Sequence, residues 1–284
     1  MAVISLFCSS YILIEDVPGT GKTMLARALA KSVDVDMNRL QCTPDLLPSD
    51  ITGVPIYNQK NSEFEFRAGP VFTHLLLADE INRATPRAQS ALLECMEEFR
   101  VSVDGTSYDL PSLFMVLATQ NPIDMVGTHT LPEAQLDRFF MRLTVGYPSV
   151  NEEVKILNAQ AEIHPIEHLA AVTSKEEILK ARQAIKKIHI NEDVVQYIVR
   201  ISEATRAHHD LRLGVSPRGS LALSLAARGL AFLRGRDYVT PDMVKGMAGS
   251  VLEHRLIVSS HAAVQGKTAK QVLKDVMDHI APPV

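Results

Sequence analysis

Three short stretches carry side chains able to act on a phosphate. In Asp16-Val-Pro-Gly-Thr-Gly-Lys22-Thr23 a glycine-bearing turn ends on Lys-Thr between an apolar run and the helical run 24–31, the context a phosphate-binding loop requires. Amides of such a loop converge on phosphate oxygens at the positive end of a helix. Asp16, Val17, Pro18, Gly19, Thr20, Gly21, Lys22 and Thr23 are therefore the candidate cradle for a nucleotide such as ATP. Lys22 supplies a point charge for the β- and γ-phosphates, and the Thr23 hydroxyl is a ligand for Mg2+. Asp16 stands where the strict pattern has glycine. Read alone, a Gly-rich turn before Lys-Thr also serves as a plain helix cap, so the other two stretches decide.

The second stretch, Leu75-Leu-Leu-Ala-Asp79-Glu80, is an apolar run that stops on two carboxylates. Adjacent acids at the end of a buried strand repel each other and need a cation or polar ligand nearby. Asp79 is expected to support Mg2+ through water, and Glu80 to orient and deprotonate an attacking water. In the third, the apolar run 113–119 leads into Gln120-Asn121-Pro122. Asn121 is placed to hold the lytic water or the γ-phosphate, although an asparagine before proline is also ordinary turn chemistry. The run Asn121-Pro-Ile-Asp124 echoes the guanine-reading Asn-Lys-x-Asp pattern, but Pro122 replaces the lysine whose stem packs on the base, and GTP is rejected.

Positioning these residues takes a parallel sheet. Up to Pro148 short apolar runs alternate with helical stretches, the pattern of a sheet covered by helices on both faces. Strands are expected over 11–14, 37–41, 75–78, 113–118 and 141–145. Beyond residue 148 helical periodicity takes over, with Val154, Leu157 and Ala161 three to four apart, and an all-helical second domain is expected. Ser216-Pro217 and Thr240-Pro241-Asp242 each set a hydroxyl before a proline at a helix start. Two inserts interrupt the first domain. Residues 58–67 are polar and end in Phe64-Glu-Phe-Arg67, while residues 100–110 carry an Asp104-Gly105 turn between apolar positions, a hairpin signal.

Bulk properties narrow the class. The 284 residues are 46% apolar and 22% charged, with a net charge of -4, a globular composition without the basic field that draws nucleic acid or anionic lipid. The opening apolar stretch, residues 1–14, lacks a basic start and falls short of the roughly 20 residues of a membrane span. A cytoplasmic protein with no targeting segment and no membrane insertion is expected. Cys8, Cys42 and Cys95 form no metal or redox spacing and read as reduced, partly buried thiols. His208-His209, His189 and His254 read as ordinary helix-face residues.

The ordered blocks make a family resemblance specific. From Glu15-Asp-Val-Pro-Gly-Thr-Gly-Lys-Thr23 the chain resembles the MoxR family of AAA+ ATPases. Further blocks are Thr43-Pro-Asp-Leu-Leu-Pro-Ser-Asp50, Gly69-Pro-Val-Phe72, Leu77-Ala-Asp-Glu-Ile-Asn-Arg-Ala84, Gln89-Ser-Ala-Leu-Leu-Glu94, Ala118-Thr-Gln-Asn-Pro122 and Leu131-Pro-Glu-Ala-Gln-Leu-Asp-Arg-Phe139. The resemblance implies an α/β P-loop NTPase (AAA+) domain, residues 1–148, followed by a smaller helical lid domain, residues 149–284. It also implies a homo-oligomeric ring, usually a hexamer, with each ATP between neighbours. Arg138 matches the arginine finger extended into the next subunit's site, worth about 10³ to 10⁵ in turnover. Arg218 matches the sensor-2 arginine, acting on its own or a neighbour's nucleotide. Its position supports this independently, because a cation in the first turn of a helix opposes the macrodipole and favours an outside anion. The two inserts are similar to elements that face the pore in related rings. Residues 1–10 do not resemble the helical segment that precedes the P-loop strand in the family and helps enclose adenine, which implies weaker adenine binding.

The expected function is Mg2+-dependent ATP hydrolysis that drives chaperone-like remodelling or maturation of client proteins. The resemblance points to clients with von Willebrand A-type domains. Three other readings stay open: a nucleic-acid motor, a magnesium-chelatase-like subunit and a non-hydrolysing nucleotide-switched scaffold. Glu80, Asn121 and Arg138 together argue against the last.

Overall fold

Residues 1–8, 11–122, 128–159 and 165–283 are described by a computed structural model of the chain. Asp124, Ala161 and the end of the opening stretch at Ser10 lie outside the described residues.

A short helix α1 (Ala2–Phe7) precedes β1 (Ile12–Glu15), and α2 (Lys22–Val33) leads to β2 (Met37–Gln41). Next come α3 (Pro48–Thr52), β3 (Gly53–Asn58), β4 (Glu63–Ala68) and β5 (Leu75–Asp79). Helix α4 (Pro86–Glu98), β6 (Arg100–Val103), β7 (Thr106–Asp109) and β8 (Met115–Gln120) complete this stretch. They are followed by α5 (Glu133–Leu136), β9 (Met141–Leu143), α6 (Val150–Ala159), α7 (Lys175–Lys187) and α8 (Glu192–Ala207). The chain then forms β10 (Leu211–Leu213), α9 (Pro217–Leu233), α10 (Pro241–Leu252), β11 (Ile257–Val258), α11 (Ser260–Val264) and α12 (Ala269–His279).

One sheet has five strands in the order β2-β5-β8-β1-β9. The β2–β5 and β5–β8 pairs are parallel, in registers that run to Gln41↔Asp79 and Ala78↔Ala118. Leu75, Leu76, Leu77 and Ala78 are buried throughout, as a strand covered on both faces requires. Each such leucine contributes roughly 1.5–3 kcal/mol by leaving water. The strand therefore runs apolar until the sheet edge, where Asp79 and Glu80 emerge.

Contacts divide the chain into two compact units, residues 13–131 with 144–177, and residues 1–12 with 132–143 and 178–284. In the first, α6 is helical as its periodicity predicts, but none of its described residues is buried and Val154 and Leu157 are exposed. A 3.6-residue period fixes the helix, not what covers its apolar face. Both inserts are hairpins. β6 and β7 pair around the expected Asp104-Gly105 turn, and β4 pairs with β3, so that half of the insert at residues 58–67 is strand rather than polar loop. Phe66 of β4 stacks on Tyr108 of β7, with centroids 4.0 Å apart and planes 14° from parallel.

In the second unit the opening stretch is helical. α1 lies against α9 where Gly229 leaves room, since a Cβ there would come within 2.8 Å of Cys8 Sγ and 2.9 Å of Ile4 Cγ2. The buried Arg182 donates Nε and Nη2 to Leu6 O at 3.1 and 2.9 Å, capping that short helix. Burial lowers the Arg182 guanidinium to about 10. Helices α9 and α10 start at the two predicted prolines, and Ser216 caps α9 by accepting from Gly219 N–H. Besides helices the unit holds the antiparallel pair β10–β11, too short to stand out from the surrounding helical pattern.

Candidate active site

The loop between β1 and α2 is shaped by two glycines. Gly19 and Gly21 have φ of 85° and 84°, a region that glycine enters without the steric cost of a Cβ. Lys22, first residue of α2, curls back to donate Nζ to Asp16 O at 2.9 Å and Val17 O at 2.7 Å. The lysine is thus held over its own loop at a helix N-terminus, where anions are favoured. Asp16 faces elsewhere. Its carboxylate accepts from Val17 N–H at 2.8 Å, Val145 N–H at 2.9 Å and Gly146 N–H at 2.7 Å. Burial pulls its pKa upward, but the Gly146, Val17 and Val145 amides and the Thr20 hydroxyl outweigh it and hold the carboxyl below its ordinary value. Asp16 is therefore a brace that ties the loop to the segment after the sheet, which explains an acid where the strict pattern has glycine.

A cavity of about 360 Å³ is lined by Pro18, Gly19, Gly21, Lys22 and Thr23 together with Asp79, Glu80, Thr119, Gln120 and Asn121. All three predicted stretches therefore meet at one place. Asp16, Val17 and Thr20 do not line it.

Asp79 Oδ2 accepts from Arg39 at 2.6 Å and Oδ1 accepts from the Thr119 hydroxyl at 2.6 Å. Thr119 Oγ1 in turn accepts the Glu80 amide at 2.8 Å. One buried hydroxyl thus locks β8 to both acids. Glu80 has φ 58°, a left-handed backbone that costs a side-chain-bearing residue of order 1–3 kcal/mol, and its Oε2 is restrained by Gln41 at 3.2 Å and Arg83 at 3.1 Å. Cys42 lies beneath. Burial first, and the Asp79 and Glu80 charges next, push its thiol up to about 12.

Sequence reasoning missed Arg39, Gln41, Arg83 and Thr119. Arg39 and Gln41 sit two apart on β2, and alternation would have put both on one face had the β2–β5 pairing been known. Thr119 had a signal in its place directly before Gln120-Asn121.

The cavity fits a nucleotide phosphate with its metal. A Cβ on Gly19 or Gly21 would meet nothing within 4 Å, so the loop backbone fronts open space. Thr23 and Asp79 offer the hard oxygen donors Mg2+ takes. The buried Gln120 Oε1 has no hydrogen-bond partner among the described residues.

Arg138 and Arg218 belong to the other compact unit. Arg138 lies in the turn after α5, and Arg218 in the first turn of α9. The Ser216 hydroxyl donates to the Asp137 carboxylate at 2.8 and 3.0 Å, and Arg255 Nε donates to Asp137 Oδ1 at 2.9 Å. Arg255 carried no sequence signal, and Asp137 only its place in the block before Arg138. His254 is buried, not on a helix face, and burial followed by the Arg255 charge holds its imidazole well below the usual range. His208 Nε2 lies 3.3 Å from Asp275 Oδ2. His208, His209 and Asp210 also cluster, but Lys267 donates to Asp210 and fills the cation's place. All three cysteines are buried and free. No helix among the described residues is long and apolar enough to cross a membrane.

Comparison with known proteins agrees with this geometry. Residues 11–141 match the ATPase family associated with various cellular activities (AAA), and residues 203–276 match the AAA lid domain. Protein YeaC of Bacillus subtilis is 48% identical over 284 residues, 100% of this chain and 89% of that protein. Chaperone MoxR1 of Mycobacterium tuberculosis is 40% identical, over 99% of this chain and 76% of its own. A crystal structure of an ATPase candidate from Cytophaga hutchinsonii superposes with a TM-score of 0.93 at 37% identity, over 100% of this chain and 88% of that one.

Proposed function

We propose that this chain, which belongs to the MoxR family of AAA+ ATPases, is a Mg2+-dependent ATPase whose cycle remodels or matures client proteins. The convergence of Lys22, Thr23, Asp79, Glu80 and Asn121 on one cavity is the observation that carries the reading. Bound ATP with Mg2+ would supply the labile phosphate bond and the metal's charge. In the proposal Lys22 exchanges its two loop carbonyls for phosphate oxygens. The Thr23 hydroxyl and, through water, Asp79 hold the metal. Glu80 accepts the proton of the attacking water, and Asn121 orients that water. Arg39 and Thr119 hold the Asp79 carboxylate in place, while Gln41 and Arg83 restrain Glu80.

Arg138 acts from a neighbouring subunit of a ring of six, and Arg218 completes the charge around the phosphate in its own subunit or the next. The functional halves, residues 1–148 and 149–284, the cytoplasmic setting and clients with von Willebrand A-type domains belong to the same proposal. Glu80→Gln is the test. Phosphate release should fall about 10²- to 10⁴-fold with nucleotide still bound, and clients should be trapped on the variant. Turnover equal to the parent's would remove Glu80 from its role.

A further inference from the structure

What surrounds the backbone of Arg138 is informative. The buried guanidinium of Arg255 reaches the chain on both sides of Arg138. Its Nη2 donates to Asp137 O at 3.1 Å and to Phe139 O at 2.6 Å, and its Nε donates to the Asp137 carboxylate at 2.9 Å. Nη1 is anchored on Val251 O, one turn back in the chain that leads to Arg255. Phe139, Phe140 and Met141 are buried, so the backbone leaving Arg138 has nowhere to drift.

The same hub holds Arg218. Three residues of Ser216-Pro217-Arg218-Gly219 bear on it. The Ser216 hydroxyl donates to the Asp137 carboxylate that Arg255 also holds. Gly219 leaves the space the Arg255 stem fills, since a Cβ there would lie 2.9 Å from Arg255 Cδ and 2.6 Å from Val215 Cγ1. Arg218 is near enough that its charge opposes that of Arg255. Five N–H donors in a rigid fork suit arginine, and not lysine, to this many acceptors at once.

We infer that Arg255 is a positioning residue that fixes the aim of Arg138 and couples it to the first turn of α9, so that the two arginines move as one body. Gly219 is required because a side chain there displaces Arg255. The inference rests on the reading of Arg138 and Arg218 as phosphate-directed cations, and its test separates the two.

Gly219→Ala in the full chain is the variant of choice, because it removes no functional group; Arg255→Lys is the second, and thermal melts confirm that both remain folded. The first readout needs no nucleotide. Arginine Nε–Hε spectra, with the Arg138 signal assigned by its loss in Arg138→Lys, should show that signal displaced and more mobile in both variants. An Arg138 signal unchanged in both overturns the inference, whatever the turnover. The second readout is MgATP turnover under ring-forming conditions. Each variant alone should lower kcat about tenfold or more, whereas adding it to Arg138→Ala should cost less than about a further twofold, the non-additivity of residues acting as a unit. Fold-losses that multiply in the double variants overturn the coupling, since a merely structural role for Arg255 predicts that product. If Arg138→Ala alone keeps native turnover, the finger reading fails, and the spectra still decide whether Arg255 sets the Arg138 pose.

Discussion

The phosphate loop and the turn that carries Arg138 both hold a cation ready, and they do so with different parts. Lys22 is steadied by carbonyls five and six residues away, inside one loop whose glycines permit the fold. The backbone around Arg138 is steadied by a guanidinium more than a hundred residues further along the chain. A site built from near neighbours leaves a motif in the sequence, whereas a site built from a distant hub leaves isolated residues with no mutual spacing.

The largest expected effect sharpens this contrast. Arg138→Ala should lower MgATP turnover by about 10³- to 10⁵-fold under conditions where rings form, with binding to the phosphate loop little changed. Steady-state phosphate release with a parallel assay of assembly checks it, and native turnover in assembled rings would place the finger elsewhere.

A smaller effect is expected from the loop's brace. Asp16→Asn removes a charged acceptor from three backbone amides and should destabilise the chain by about 1–3 kcal/mol near neutral pH. The sign with pH follows from the lowered carboxyl of the folded state. The stabilisation is fully present above the unfolded value of about 3.9 and is lost as pH falls below it through the folded value. Denaturant melts at neutral pH and near pH 3 should show native stability dropping more steeply in acid than that of Asp16→Asn; parallel declines would mean that the Asp16 charge does not brace the loop.

How much was legible follows the same division. The parallel sheet, the hairpin at Asp104-Gly105 and the starts of α9 and α10 were readable because each is encoded in a few consecutive residues: an apolar run, a turn dipeptide, a hydroxyl before proline. The candidate site was readable in Lys22, Thr23, Asp79, Glu80 and Asn121, which line one cavity. Arg39 and Gln41 were not, because their bond to the acids exists only once β2 pairs in register with β5. Thr119 reads as one more strand residue until its hydroxyl is seen between Asp79 and Glu80. Residues 58–67 look like a polar loop because their first half is polar and β4 is exposed on most of its length, although Glu63-Phe-Glu-Phe66 alternates as a strand does. Asp16 looked like a defect in the motif because its partners, the amides of Val145 and Gly146, lie far along the chain.

The central claim is that the Lys22 cradle receives the terminal phosphates of one nucleotide. Calorimetric titration of the nucleotide-free chain with MgATP, parent against Lys22→Ala, tests it most directly. Loss of a hydrogen-bonded charge worth about 1.5–3 kcal/mol should weaken the Kd roughly 10- to 150-fold. An unchanged Kd would contradict the account.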